Sequence, residues 1–298
     1  MTTGPVWEAG EKTHKDENFP VASHLVSKKH RPVILAFYRF ARAADDVADH
    51  PELSEGEKIR TLDEFEETLL GHSDAIADAL PLRAAIAGRG LSPKHGQDLL
   101  VAFRMDAGKH RYADWADLIH YCSYSAMPVG RFVLDVHGES RATWPANDAL
   151  CAALQIINHL QDCGADYRRL DRVYIPLDAL AARSIPVEAL AAPQSSPDLL
   201  ACIHELAAKT EDLLGAADLS RSIKDLRLSL EVASIERLAR KLVHMLKARD
   251  PLSQKVHLSK VEFASNLIAA ASVTLGRRLF KPSGTPASLR GFDDQPSR

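Results

Sequence analysis

Ala41-Arg-Ala-Ala-Asp-Asp-Val-Ala-Asp-His50 closes a run that reads as helix from about Pro32. Asp45 and Asp49 are spaced i,i+4, so both carboxylates project from one face. Arg42, three residues before Asp45, and Tyr38, seven before it, share that face. A second stretch answers the first. In Gln155-Ile-Ile-Asn-His-Leu-Gln-Asp-Cys-Gly-Ala-Asp166, Gln155, Asn158, Asp162 and Asp166 fall at i, i+3, i+7 and i+11. They form a polar stripe on a helix that Leu154, Ile156, Ile157 and Leu160 otherwise make apolar. Two helices that each carry a carboxylate pair imply one site between them.

His50-Pro51 ends the first helix, which puts Asp45, Asp46 and Asp49 at the negative end of its dipole. Each carboxylate there costs about 0.3–1 kcal/mol, and like charges at i,i+4 repel further. A solvated helix end explains one such cluster as simply as a metal does. The stripe on a mostly buried second helix shifts the balance, because buried carboxylates are costly unless paired or metal-bound. Mg²⁺, with Mn²⁺ as substitute, suits a few hard oxygen ligands completed by substrate phosphates and water.

The rest of the chain bounds the answer. Its 298 residues hold one large domain or two small ones. Hydrophobic content of 46%, charged content of 26% and a net charge of −3 fit a soluble globular protein and give nucleic-acid binding no support. Cys122, Cys151, Cys163 and Cys202 show no metal spacing and read as reduced core residues. No signal peptide and no span of ~20 apolar residues is present, so a cytoplasmic protein is expected. Peripheral contact at the inner membrane face stays open, with Lys28-Lys-His-Arg31 as a basic group for anionic lipid.

In order, helices are expected over 32–49, 56–70, 81–87 and, with Ser92 as cap and Pro93 at its first position, to Ala107. Asp114 caps a helix over 115–136, interrupted near Pro128-Val-Gly130 by a ligand-side kink or a plain bend. Helices over 147–166, 197–214, 222–247 and 259–280 come next, with brief pieces at 178–182 and 187–191 and an extended Asp171-Arg-Val-Tyr-Ile-Pro176. Gly164 permits close approach of backbone or ligand. Residues 1–16 and the Pro/Gly/Ser-rich tail 281–298 are expected to be disordered, flanking a single all-α domain over 17–280.

Facing carboxylate pairs that hold Mg²⁺ would grip a diphosphate, with Arg42 adding a charge-assisted contact. Metal neutralisation of the leaving diphosphate generates a carbocation, which needs a dry aromatic-lined cavity. Phe37, Phe40, Tyr38, Tyr121, Tyr124 and Phe132 are candidates, though each reads first as a core aromatic. Phosphate-loop, dinucleotide, zinc-hydrolase and di-iron patterns are all missing from the sequence.

With these residues on the page, the chain resembles the squalene/phytoene synthase family. The carriers are Asp45-Asp-Val-Ala-Asp49 with Arg42 upstream, and Gln155 through Asp166 followed by Arg172-Val-Tyr-Ile-Pro176. Within the family, Glu17-Asn-Phe-Pro-Val-Ala-Ser23, Tyr121-Cys-Ser-Tyr-Ser-Ala-Met-Pro-Val-Gly130 and Asp250 to Lys260 resemble the bacterial hydroxysqualene synthase branch of hopanoid biosynthesis. The resemblance implies a single-domain isoprenoid-synthase helical bundle with a central cavity. It implies Asp45, Asp49, Asn158, Asp162 and Asp166 as metal ligands, with the four aspartates catalytic. Asn18, Phe19, Tyr38, Arg42, Gln155, Asn158, Arg172 and Tyr174 would contact substrate. Two departures stand out: Gly164-Ala165 replaces a further acid of some relatives, and Asp171 stands where many carry Gly.

The implied reaction is Mg²⁺-dependent ionisation of presqualene diphosphate with water capture to hydroxysqualene, without NADPH. Presqualene diphosphate would come from a sister enzyme and the product would pass to a flavoenzyme, so contacts with enzymes of squalene synthesis are transient. Alternatives are a complete head-to-head synthase making squalene or phytoene, and a catalytically silent helical scaffold.

Overall fold

The computed structural model describes residues 27–258. Asn18, Phe19, both expected tails and the expected helix over 259–280 lie outside the described residues. Among the described residues eleven α-helices succeed one another: α1 (Arg31–Ala48), α2 (Glu55–Leu70), α3 (Leu80–Ala87), α4 (Lys94–Gly108), α5 (Trp115–Ser125), α6 (Met127–His137), α7 (Trp144–Leu170), α8 (Leu177–Ala181), α9 (Pro197–Ala216), α10 (Leu219–Ser222) and α11 (Leu226–Leu246). The one β feature in this range is an isolated parallel bridge between Arg111 and Val173.

The first aspartate helix is placed by its apolar face. Val33, Ile34, Phe37, Phe40, Ala44 and Val47 recur at helical spacing and are all buried. Phe37 stacks flat on Phe132 of α6 with centroids 4.0 Å apart, and Phe40 meets Phe65 of α2 edge-on at 5.7 Å. The opposite face, with Tyr38, Arg42, Asp45 and Asp49, is left half-buried. α1 thus belongs to a smaller core made with α2, α3, α4 and, from α6, Phe132 and Val136. α7, about 40 Å long by its 27 residues, is the axis of a larger core with α5, α6, α9 and α11. α6 contributes to both cores, with Met127 and Leu134 on the larger side.

α7 starts three residues earlier and ends four later than the expected 147–166, and three other boundaries shift, each for a local reason. The break after α5 falls at Ala126 (φ −122°, ψ −45°), and Pro128 sits in the first turn of α6, where its missing N–H costs nothing. Gly130 serves packing: a Cβ there would collide with Asn147 Oδ1 and stand 2.7 Å from Cys151 Sγ, so α6 and α7 cross closely at that point. Pro93, not Ser92, takes the cap of α4, while Ser92 Oγ accepts from Lys94 N at 3.2 Å. The single helix expected over 222–247 is split. Glu139 accepts from the N–H groups of Lys224 (3.0 Å) and Asp225 (2.8 Å), and Asp225 caps Leu228 N at 2.9 Å, so α11 starts afresh at Leu226.

Candidate active site between the aspartate helices

In the last turns of α1, Arg42 Nη1 donates to Asp45 Oδ2 at 3.0 Å and Nη2 donates to Asp46 Oδ1 at 2.7 Å. Such partly exposed helical pairs offset only about 0.3–0.5 kcal/mol each. Repulsion therefore persists. Burial and then the Asp49 charge push Asp45 up to about 7, against the pull of Arg42. Burial also raises Asp46.

Asp49 is engaged from the other motif. Arg172 Nη1 lies 2.6 Å from Asp49 Oδ1, and Nη2 donates to the Asp106 carbonyl at 3.1 Å. Asp171 makes this reach possible by turning the chain out of α7 at φ +51°, ψ +34°. That left-handed position after a helix favours Gly or Asn and tolerates Asp, which gives the departure at Asp171 a physical setting. Arg111 Nη2 holds the Asp171 carboxylate at 2.5 Å. Val173 N then donates to the His110 carbonyl and Leu177 N to the Tyr112 carbonyl, both at 2.9 Å. The expected extended segment 171–176 is thus laid along residues 110–113.

Sequence reasoning missed Asp106, near the end of α4. Its carboxylate accepts the Tyr121 hydroxyl at 2.9 Å, and burial pushes it up to about 7 against the pull of Arg172. A signal existed: Leu99, Ala102 and Asp106 are spaced i, i+3 and i+7 on the buried stripe of α4, an acid in a core position. Beside it stands an aromatic wall. Tyr112 stacks on Tyr174 at 5.4 Å, Tyr121 meets both rings, and His159 stacks on Tyr174 at 3.5 Å. Burial, then Arg172, lower His159 to about 3, so the ring is neutral and accepts from the Gln155 amide, 3.1 Å away. Tyr174 is buried in this wall, and Phe37, Phe40 and Phe132 belong to the smaller core.

On α7, Asp162 is exposed, while Gln155, Asn158 and Asp166 are half-buried. α1 and α7 each pack on α6 and make no substantial contact with one another, and Arg172, just past the end of α7, reaches across to Asp49 of α1. Gly164 accommodates backbone: a Cβ there would stand 3.2 Å from the Leu190 carbonyl and 2.6 Å from Leu252. Among the described residues no group of three or more His, Cys, Asp or Glu side chains converges on a metal position. The donors are separate pairs of hard oxygens, one of them strained by mutual repulsion. That set fits Mg²⁺, which takes one or two carboxylates and completes its shell with phosphate and water.

An all-α bundle with two aspartate-bearing helices and a buried aromatic wall defines a class, and comparison narrows it. Residues 12–262 match the squalene/phytoene synthase family. The hydroxysqualene synthases of Rhodopseudomonas palustris and Sinorhizobium fredii are each 54% identical over 94% of this chain and 96% of theirs. A dehydrosqualene synthase solved with a ligand superposes with a TM-score of 0.74 over 87% of this chain and 92% of that one, at 21% identity. The chain belongs to the squalene/phytoene synthase family and has its all-α isoprenoid-synthase fold.

Proposed function

We propose that the chain ionises presqualene diphosphate and that water captures the rearranged cation, releasing hydroxysqualene and inorganic diphosphate. The observation that carries this reading is the near-full-length similarity to two proteins named hydroxysqualene synthase. Asp45 and Asp49 on α1, with Asn158, Asp162 and Asp166 on α7, would hold Mg²⁺ or Mn²⁺, which when bound supplies Lewis-acid neutralisation of the departing diphosphate. Arg42 and Arg172 bring fixed positive charge to the same place, with Tyr38 and Gln155 flanking it. The carbon–oxygen bond breaks with its electron pair on diphosphate. Tyr112, Tyr121, Tyr174 and neutral His159 offer an aromatic surface that attracts the cation without capturing it. Water forms the new carbon–oxygen bond, and its surplus proton leaves to diphosphate or solvent.

Incubation with presqualene diphosphate in H₂¹⁸O, without NADPH, should yield an alcohol carrying one ¹⁸O. A hydrocarbon as sole product, formed faster with NADPH, would make the chain a complete squalene synthase, and absence of diphosphate release would make it a silent scaffold. No helix among the described residues is long and apolar enough to cross a membrane. A cytoplasmic protein touching the inner membrane face suits so lipophilic a substrate and product. Reversible flotation with anionic vesicles at low salt checks that contact.

A further inference from the structure

Arg172, expected as a substrate contact, is placed instead against an acid of the first motif. It is 7% exposed, lies 2.6 Å from Asp49, and is tied to α4 by the Asp106 carbonyl. A guanidinium so placed occupies a carboxylate that a dication would also use. The Asp106 side chain, 5% exposed, is the other acid acting on Arg172, and Tyr121 fixes its orientation at 2.9 Å. We propose that Asp106 is a positioning residue whose charge balances Arg172, weakening the hold of Arg172 on Asp49 so that a divalent cation can compete for that carboxylate. In this arrangement Arg172 is a built-in counter-cation of the first aspartate cluster, and Asp106 sets how hard it competes.

The geometry distinguishes charge from shape. An amide at position 106 still accepts the Tyr121 hydroxyl, so Asp106→Asn removes the charge and keeps the hydrogen bond. Tyr121→Phe removes the hydrogen bond, which helps keep the Asp106 carboxyl ionised, and so weakens the same charge without abolishing it. A unit charge about 6 Å from a dication changes its affinity by roughly tenfold even in a water-like dielectric, and by more where the surroundings are drier.

The inference rests on the proposed metal-dependent reading, but its test reads metal binding rather than product. Free Mn²⁺ is followed by its electron paramagnetic resonance signal during titration of the full chain at pH 8, with helix content checked by circular dichroism. Asp106→Asn should bind Mn²⁺ at least about tenfold more weakly than wild type, and Tyr121→Phe should lose clearly less than Asp106→Asn. Arg172→Gln should bind Mn²⁺ more tightly, and adding Asp106→Asn to it, which removes both buried charges together, should change affinity by far less than about tenfold. A full loss of about tenfold there would overturn the proposal even where Asp106→Asn alone does not fold. Equal affinity in Asp106→Asn, an equal loss in Tyr121→Phe, or weaker binding in Arg172→Gln would each overturn the proposal. If wild type itself binds Mn²⁺ nowhere near Asp45 and Asp49, shown by unchanged binding in Asp45→Asn, the metal-dependent reading fails instead.

Discussion

The two aspartate helices reach similar motifs from opposite starting points. α1 ends in a charge-loaded turn: three acids, an arginine that pairs with two of them, and an Asp45 carboxyl pushed up to about 7. α7 carries its acids in mid-helix and near its end, with Asp162 open to solvent. Their supports differ too, since α1 rests on the smaller core and α7 runs through the larger one. The difference teaches that similar acid spacings can stand in unlike settings: a crowded helix end, to which Arg42 and Arg172 both bring positive charge, and a longer helix that presents Asp162 to solvent.

The largest expected effect attacks the support of α1. Phe132 is 1% exposed and stacks on Phe37 behind the motif. Phe132→Ala should cost about 3–5 kcal/mol in urea unfolding, the usual range for a buried Phe truncation. Hydrogen exchange should show protection lost in α1 before α7. Uniform loss along both helices would mean that the two cores are one cooperative unit and that no division separates them.

Next comes the chemistry of the two ends. Asp45→Asn and Asp162→Asn should each lower turnover by at least ~10²-fold, the scale of removing one preorganised electrostatic element. Diphosphate release by folded protein is the measurement. Near-wild-type turnover in Asp162→Asn would leave α1 as the sole metal helix, and in Asp45→Asn would dismiss the paired site.

Much of this is legible in sequence because it is periodic. The apolar run through Phe37 and Phe40 fixes which face of α1 is left for Asp45 and Asp49, and the Gln155-to-Asp166 stripe marks its counterpart on α7. What escapes is long-range. Nothing local tells that Arg172 crosses to Asp49, or that Glu139 collects the Lys224 and Asp225 N–H groups and splits a helix. The break lies at Ala126 rather than at Pro128, because proline is accommodated in the first turn of α6 instead of interrupting a longer helix. Asp106 escapes notice because a helix-end acid reads as solvated until its position on the buried stripe is weighed.

A smaller effect concerns pH. In the unfolded chain the Asp45 carboxyl titrates near its ordinary 3.8, and in the folded chain near about 7. The folded state therefore holds the proton more tightly. The resulting stabilisation is full below the unfolded value and is lost as pH rises through the folded one. With metal chelated, the melting temperature of Asp45→Asn relative to wild type should climb between pH 5 and pH 8. A gap that stays constant over that range would show that Asp45 is not strained and that α1 is no more charge-loaded than α7.

The smallest effect lies where the two regions meet, at the exit from α7. Asp171 holds a left-handed backbone at φ +51°, and its carboxylate pairs with Arg111 at 2.5 Å while 67% exposed. Asp171→Gly relieves about 1 kcal/mol of backbone cost. It also gives the unfolded chain more freedom, worth about 0.4–1 kcal/mol, and loses an exposed ion pair worth about 0–1 kcal/mol. These oppose each other, so its unfolding free energy should stay within about 1 kcal/mol of wild type. Asp171→Ala keeps the backbone cost, loses the pair and gives up the local polar contacts that help Asp adopt this conformation, so it should be the less stable of the two. Urea unfolding of both variants measures the order. If alanine proves the more stable, the left-handed turn is not what delivers Arg172 to Asp49, and the link between the two helices must be set by residues 110–113 instead.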